Sequence, residues 1–235
     1  MIKAVLFDLD GTFLPMDQED FIKAYFSSLA KKLVPYGYNP DTFVPAIWTG
    51  IKAMMKNDGS RTNEEAFWQT FAGILGEHVC KDEPLFREYY NNEFNAVKDI
   101  CGFCPKAADV IKATKAKGFK AVLATNPLFP KIATQNRIKW AGLCPDDFEL
   151  YTTYEDYSWC KPSLEYYRQI LDKIGLKGEE CAMVGNDVTE DMVARELGMQ
   201  VFLLTDDLIN KNNVDISVYP NGSFDELKKW IEENT

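Results

Sequence analysis

The sequence predicts an α/β fold: a doubly wound parallel sheet that carries an inserted α-helical segment. Three observations lead there. Short apolar runs such as Ala4-Val5-Leu6-Phe7 and Val201-Phe202-Leu203-Leu204 show no polar alternation, as strands buried on both faces require. Segments of helical periodicity separate the later runs, which implies right-handed βαβ units. The stretch over residues 17–99 breaks that alternation and holds helical patterns only.

Taken in order, the first strand covers 4–7 and ends in Asp8, Asp10 and Gly11. The periodicity then predicts helices over 21–33, 45–55, 64–75 and 85–97, divided by turn-forming stretches at 35–40, 57–60 and 82–84. Phe67, Trp68, Phe71, Tyr89, Tyr90 and Phe94 recur at helical spacing in this insert and read as bundle core rather than as a ligand cage. The alternation resumes with a helix over 105–117 and a strand over 119–124, which runs into Thr125-Asn126-Pro127. Helices over 129–141 and 163–174, a strand over 181–185 and a helix over 189–197 come next. A strand over 201–204, a short strand over 215–219 and a last helix after Ser223 complete the chain. Residues 1–16 and 100–235 are therefore expected to form the α/β core, and 17–99 the helical domain.

Composition narrows the function. Of 235 residues, 26 are Lys or Arg and 36 are Asp or Glu, a formal charge of −10 with pI near 4.7. That balance argues against nucleic acid as a partner, because phosphate backbones are held by clustered Lys and Arg. It suits a protein that recruits a cation. A hydrophobic fraction of 46% excludes intrinsic disorder. No apolar run approaches the ~20 residues of a membrane span. The N-terminal MIKAVLFDLD lacks the plan of an export signal, so a cytoplasmic location away from membranes is expected. The cysteines lack regular spacing and read as reduced thiols, except that Cys101-Gly102-Phe103-Cys104, ahead of a helix, could be a redox pair. The single histidine, His78, is too little for a zinc site or a Ser-His-Asp hydrolase, so any general acid or base is expected to be a carboxylate.

Ligands of parallel α/β sheets bind outside the carboxyl ends of the strands. Those ends present Asp8-Leu9-Asp10-Gly11-Thr12, Thr125 with Asn126, and Gly185-Asn186-Asp187 followed by Asp191, while an intervening loop carries Lys161-Pro162. Several carboxylates, one Lys and one hydroxyl are what phosphoryl transfer through a carboxylate requires. Asp8 and Asp10, two apart on an extended chain, point the same way. One can attack phosphorus, splitting hydrolysis into two easier displacements. The other, Asp10, can protonate the leaving oxygen and later deprotonate the attacking water. Attacker and phosphoryl group are both anionic, so a hard divalent cation must bridge them, and oxygen-only ligands select Mg²⁺. The Thr125 hydroxyl, nearby backbone amides and the Lys161 ammonium would hold the equatorial oxygens. Asp187 and Asp191 can close the metal site from the opposite side.

These residues, in this order, resemble the haloacid dehalogenase superfamily, in its phosphatase branch. The first motif is Asp8-Leu9-Asp10-Gly11-Thr12, the second Thr125, the third Lys161-Pro162, and the fourth Gly185-Asn186-Asp187 with Asp191. The match covers 1–14 and about 100–220, and the helical insert lies where this family places a cap. The resemblance implies that Asp8 is the nucleophile and Asp10 the acid/base. It implies that Thr125 and Lys161, with Asn126 beside them, bind the phosphoryl group. Asp8, the Asp10 backbone carbonyl and an acid of the fourth motif would hold Mg²⁺. That motif commonly reads Gly-Asp, so either Asp187 is the direct ligand with Asp191 behind it, or Asn186 takes the ligand position. Charge favours Asp187. Pro15, just after the first motif, would stiffen the cap hinge.

The expected activity is thus Mg²⁺-dependent hydrolysis of a small phosphorylated metabolite through an aspartyl-phosphate. A phosphomutase like β-phosphoglucomutase is the alternative that the same motifs allow. A dehalogenase is disfavoured, since that branch does not need Asp10. A thiol-redox protein using Cys101 and Cys104 and a non-catalytic binding protein are the readings from other classes. Lys23, Lys52, Lys56 and Arg61 could meet an anionic leaving group, yet read as solvated surface charges.

Overall fold

Every residue of the first strand, β1 (Ala4–Phe7), is buried, and its two sides face different cores. Val5 and Phe7 join one apolar cluster, Ala4 and Leu6 the other. This double burial is why the strand reads as an unbroken apolar run. The computed structural model describes residues 1–233 and adds five further strands: β2 (Lys120–Leu123), β3 (Leu150–Tyr151), β4 (Cys181–Gly185), β5 (Gln200–Leu204) and β6 (Asn221–Gly222). All pair in parallel, in the order β3-β2-β1-β4-β5-β6. The chain winds outward from β1 in one direction, then returns to the other side of β1 at β4. The doubly wound parallel sheet is therefore present, with its order reversing between β1 and β4.

Between β1 and β2 the chain forms helices α1 (Gln18–Leu33), α2 (Pro40–Met55), α3 (Asn63–Leu75), α4 (Glu83–Asn91) and α5 (Lys106–Ala116). Their starts are written in the sequence. Asp17 caps α1 by accepting from the Asp20 amide, and Thr62 with Glu65 forms a reciprocal capping box on α3. On α1 the buried residues Phe21, Tyr25, Leu29 and Leu33 fall at every fourth position, a single inward stripe. Beyond β2 the chain adds α6 (Lys131–Trp140) before β3, α7 (Leu164–Ile174) before β4 and α8 (Phe224–Glu233) after β6.

Four expectations need correction. The stretch over 215–219 is no strand: Asp215 accepts from the Ser217 amide at 3.0 Å and a 3-10 turn, Ile216–Val218, forms there. Pro220, with no N–H to give, ends that turn, and the edge strand forms after it. Strand β3 escapes the periodicity because two residues carry no pattern. The helix over 85–97 splits at Asn92, whose φ of −117° and ψ of −83° leave helical space, into α4 and the 3-10 helix Glu93–Ile100. The helix over 189–197 is a 3-10 helix, Met192–Leu197, because Asp187 takes the amides of Thr189 and Glu190 into a turn first.

The helical insert and the sheet share one apolar cluster. Phe94 lies 4.8 Å from Trp140 between ring centres, and Tyr25 lies 5.5 Å from Phe129. A polar latch adds to this. The Asn63 amide nitrogen reaches Pro127 O at 3.3 Å and Cys160 Sγ at 3.4 Å, its oxygen accepts from Asn57, and its backbone N–H donates to Tyr157 O at 2.8 Å. Asn63 is fully buried, so its replacement strands those acceptors. Urea denaturation of Asn63→Ala is expected to show a loss of about 1–3 kcal/mol; a loss under about 0.5 kcal/mol, typical of a surface position, would remove the latch.

Candidate active site

Pairing sets the three central strand ends level. Phe7 stands opposite both Leu123 and Val184, the Asp8 amide donates to Val184 O at 2.9 Å, and the Ala124 amide donates to Phe7 O at 2.7 Å. The residues just past each strand are therefore delivered to one crevice: Asp8, then Thr125 with Asn126, then Asn186 with Asp187. The crevice opens into a cavity of about 630 Å³ between the sheet and helices α1–α4. Asp8, Asp10, Thr125, Asn126, Lys161, Asn186, Asp187 and Asp191 all line it. The structure thus brings together every sequence-predicted site residue.

Their charges interlock. Lys161 Nζ donates to Asp8 Oδ1 at 2.7 Å and to Asp191 Oδ1 at 2.6 Å, and all three side chains are buried. Burial opposes the Lys161 charge, but Asp191 and Asp8 outweigh it and hold the ammonium well above its ordinary pKa. The second Asp191 oxygen accepts from the Asp187 amide at 3.0 Å. The Thr12 hydroxyl sits 3.1 Å from both Asp8 Oδ2 and Asn186 Oδ1, and Asn186 Nδ2 donates to Asp207 O at 2.7 Å. Two glycines permit this crowding. A Cβ on Gly11, which has φ +80°, would lie 2.3 Å from Asn186 Nδ2, and one on Gly185 would lie 2.1 Å from Asp191 Oδ2. Asn126 bridges neighbours, accepting from the Lys161 amide and donating to Glu190 Oε2, each at 3.3 Å.

Asp10 has a different partner. The strand stops at Phe7, so Asp10 lies in the turn beyond it, and its Oδ2 accepts from Arg137 Nη1. Asp10 Oδ1 is buried and has no partner among the described residues. Burial raises the Asp10 pKa above the ordinary carboxylate range, and Arg137 offsets part of that rise. Arg137 is 1% exposed, in the middle of α6, with its guanidinium 4.5 Å from the Phe129 ring centre. Sequence reasoning missed it. Its four-residue spacing from Ala133 and Ala141 hints at the buried side of α6 but carries no sign of the partner across from it.

The side chains near Asp8 that could ligate a metal, Asp10, Asn186, Asp187 and Asp191, would do so through oxygen. One ammonium, Lys161, faces two carboxylates, and burial with the Asp8 charge pushes Asp191 up to about 7 against the pull of Lys161. A crevice with oxygen ligands and more carboxylates than cations fits a hard divalent cation, which is held by one or two carboxylates and keeps waters. Among the described residues no group of three His, Cys, Asp or Glu side chains could hold a metal alone.

Other sequence candidates fall away from the crevice. Lys23, Lys52, Lys56 and Arg61 do not line the cavity, and Lys23 pairs with Asp20 at 3.2 Å. Cys101 and Cys104 are free thiols, and burial pushes Cys101 up to about 11, the reverse of a reactive thiolate. Pro15 lies where the chain enters the helical insert, and its carbonyl accepts from the Gly102 amide at 2.7 Å where the chain leaves it. Of the insert aromatics, Phe71, Tyr89 and Phe94 are fully buried core, and Phe67, Trp68 and Tyr90 belong to or pack against that core while also lining the cavity. No helix among the described residues is long and apolar enough to cross a membrane.

Known proteins agree with this architecture. The chain is 28% identical to a glyceraldehyde 3-phosphate phosphatase of Methanocaldococcus jannaschii over 85% of its own length and 83% of the relative's. It is 22% identical to an enolase-phosphatase E1 of Aquifex aeolicus over 99% of each chain. Among solved structures, a phosphatase of the same superfamily from Thermococcus onnurineus superposes with a TM-score of 0.58 at 21% identity, covering 98% of both chains. A family model for haloacid dehalogenase-like hydrolases matches residues 2–198. With that match spanning β1 to β4, the crevice residues from Asp8 to Asp191 and the helical insert, the chain belongs to the haloacid dehalogenase-like hydrolases.

Proposed function

We propose that this hydrolase is a Mg²⁺-dependent phosphatase that cleaves small phosphate monoesters through an aspartyl-phosphate on Asp8. One observation carries the reading: the Asp8 carboxylate stands at the sheet's switch point, at the floor of the cavity, with one oxygen held by Lys161 and the other by Thr12. A carboxylate so fixed is oriented for attack rather than free to rotate. The names of the curated relatives, phosphatases of glyceraldehyde 3-phosphate among them, support a phosphate monoester as substrate.

In the first half-reaction Asp8 forms a bond to phosphorus as the bond from phosphorus to the leaving oxygen breaks. Asp10, whose pKa burial raises, gives that oxygen its proton. In the second half Asp10 takes a proton from water, whose oxygen displaces Asp8 from phosphorus. Arg137 orients Asp10 and leaves Oδ1 as the oxygen that carries the proton. Thr125 and Lys161 hold the phosphoryl oxygens where charge concentrates. Asp8, the Asp10 main-chain carbonyl and Asp187 would hold Mg²⁺, with Asn186 and Asp191 supporting, and the ion would neutralise charge between attacker and phosphoryl group. Residues 1–16 and 100–235 act as the catalytic core, and 17–99 as a cap that excludes water.

Three outcomes test this. Asp8→Asn should abolish turnover of every phosphate ester while the circular dichroism spectrum still reports the folded chain; surviving turnover would refute Asp8 as nucleophile. For Arg137 the pH profile discriminates. Asp10 must be protonated in the first half, so kcat/KM falls as pH rises through its pKa. Arg137 favours the ionised form, so Arg137→Gln should move that alkaline limb to higher pH and lower kcat by about 100-fold through lost alignment. Arg137→Lys should return the limb but not the rate; an unmoved limb in Arg137→Gln would separate Arg137 from the proton step. Finally, Mg²⁺ should raise Tm more at pH 8 than at pH 6, because Asp191, titrating at about 7, binds a proton at the lower pH and weakens the site. Equal shifts at both pH values would place the ion elsewhere.

A further inference from the structure

We infer that the substrate is a phosphate monoester whose leaving group is apolar and ring-bearing and carries no second anionic group. The inference rests on the phosphatase reading and concerns the part of the cavity away from Asp8. That part is walled by aromatic rings. Trp48 lies 5.5 Å from Phe26, Phe67 lies 5.6 Å from Trp68, and Tyr25 lies 5.5 Å from Phe129, all between ring centres and all on the cavity. These tilted and edge-on arrangements present both faces and edges, the geometry in which a further ring packs well. Trp48 is 38% exposed although its neighbours on the same helix, Ile47 and Ala46, are buried, so a large apolar side chain is left open on the cavity side. A volume of about 630 Å³ lies within the range of sites that enclose a whole small organic molecule. It exceeds what the phosphate of a three-carbon ester fills.

The charges at the same end point in the same direction. Glu64, Glu83 and Glu155 line the cavity there with Arg87 and Lys131. Both cations are engaged: Arg87 pairs with Glu83 at 2.8 Å, and the Lys131 ammonium lies 5.7 Å from the Tyr151 ring centre. Burial, with Glu155 and Glu83 nearby, raises Glu64 above the ordinary carboxylate range. A leaving group bearing a carboxylate or second phosphate would give up its hydration to meet aromatic carbon and like charge. An uncharged ring meets neither penalty.

The test compares esters of similar leaving-group chemistry, so that intrinsic reactivity cancels. With Mg²⁺ present, phosphate release from 2-phenylethyl phosphate, ethyl phosphate and 2-phosphoglycolate is monitored with the full chain. The expected result is a kcat/KM about 100-fold higher for the phenylethyl ester than for either other ester, since even one methylene in an apolar pocket is worth about 10- to 200-fold. Trp48→Ala should raise KM for the phenylethyl ester about tenfold with kcat retained, a split that a fold defect would not produce. Equal turnover of the three esters, or a preference for phosphoglycolate, would overturn the inference while leaving the phosphatase standing. No release from any of the three would overturn both.

Discussion

The Lys161 ammonium is the constraint on which the site depends. It is buried, and it stands between the carboxylates of Asp8 and Asp191 at 2.7 and 2.6 Å. None of the three could be buried alone, because an unpaired ion in the interior costs several kcal/mol, about 3–5 kcal/mol when a partner is removed. Together they tie the end of β1, the loop before α7 and the turn after β4 into one unit. The close approach at Gly185 lets Asp191 sit against the strand end. One ammonium for two carboxylates also leaves the crevice electronegative, which suits a site that accepts a cation and a phosphoryl group together.

A second buried pair, Asp10 with Arg137, organises the other side of the crevice. Arg137 comes from α6, whose buried apolar residues, Ala133, Ile138 and Trp140, belong to the large apolar cluster. That cluster runs without a break from the sheet into the helical insert through Phe129, Tyr25 and Phe94. The helices above the site and the helix that orients Asp10 therefore share one packed body. A shift of the insert would be felt at Phe129, on which the Arg137 guanidinium rests.

Most of the sheet was legible because its strands are buried on both faces, and such strands appear as apolar runs without alternation. The failures lie at the sheet's edges. Leu150-Tyr151 and Asn221-Gly222 are two-residue strands with no pattern to read. The 215–219 stretch mimics a strand in composition, yet Asp215 and Pro220 bend it away. Asn92 interrupts a helical pattern for a reason found only in its backbone. At the site, Asp8, Asp10, Thr125, Lys161 and Asp187 could be anticipated, since chemistry demands those types after strand ends. Arg137 could not, because a lone Arg on a helix gives no sign of what lies across from it.

The sequence by itself determined which residues stand at the strand ends and that oxygen donors and one Lys would meet there, because strand periodicity and residue chemistry are local properties. Tertiary structure alone decided how they pair. Parallel register levelled Phe7, Leu123 and Val184, and the crossover after β3 brought Lys161 and Asp191 back to Asp8 from more than 150 positions away. The same packing chose Arg137 as partner for Asp10 and set Phe67 and Trp68, which pack against the core, on the cavity wall as well. Such choices depend on which surfaces meet, and that is a property of the assembled chain rather than of any segment.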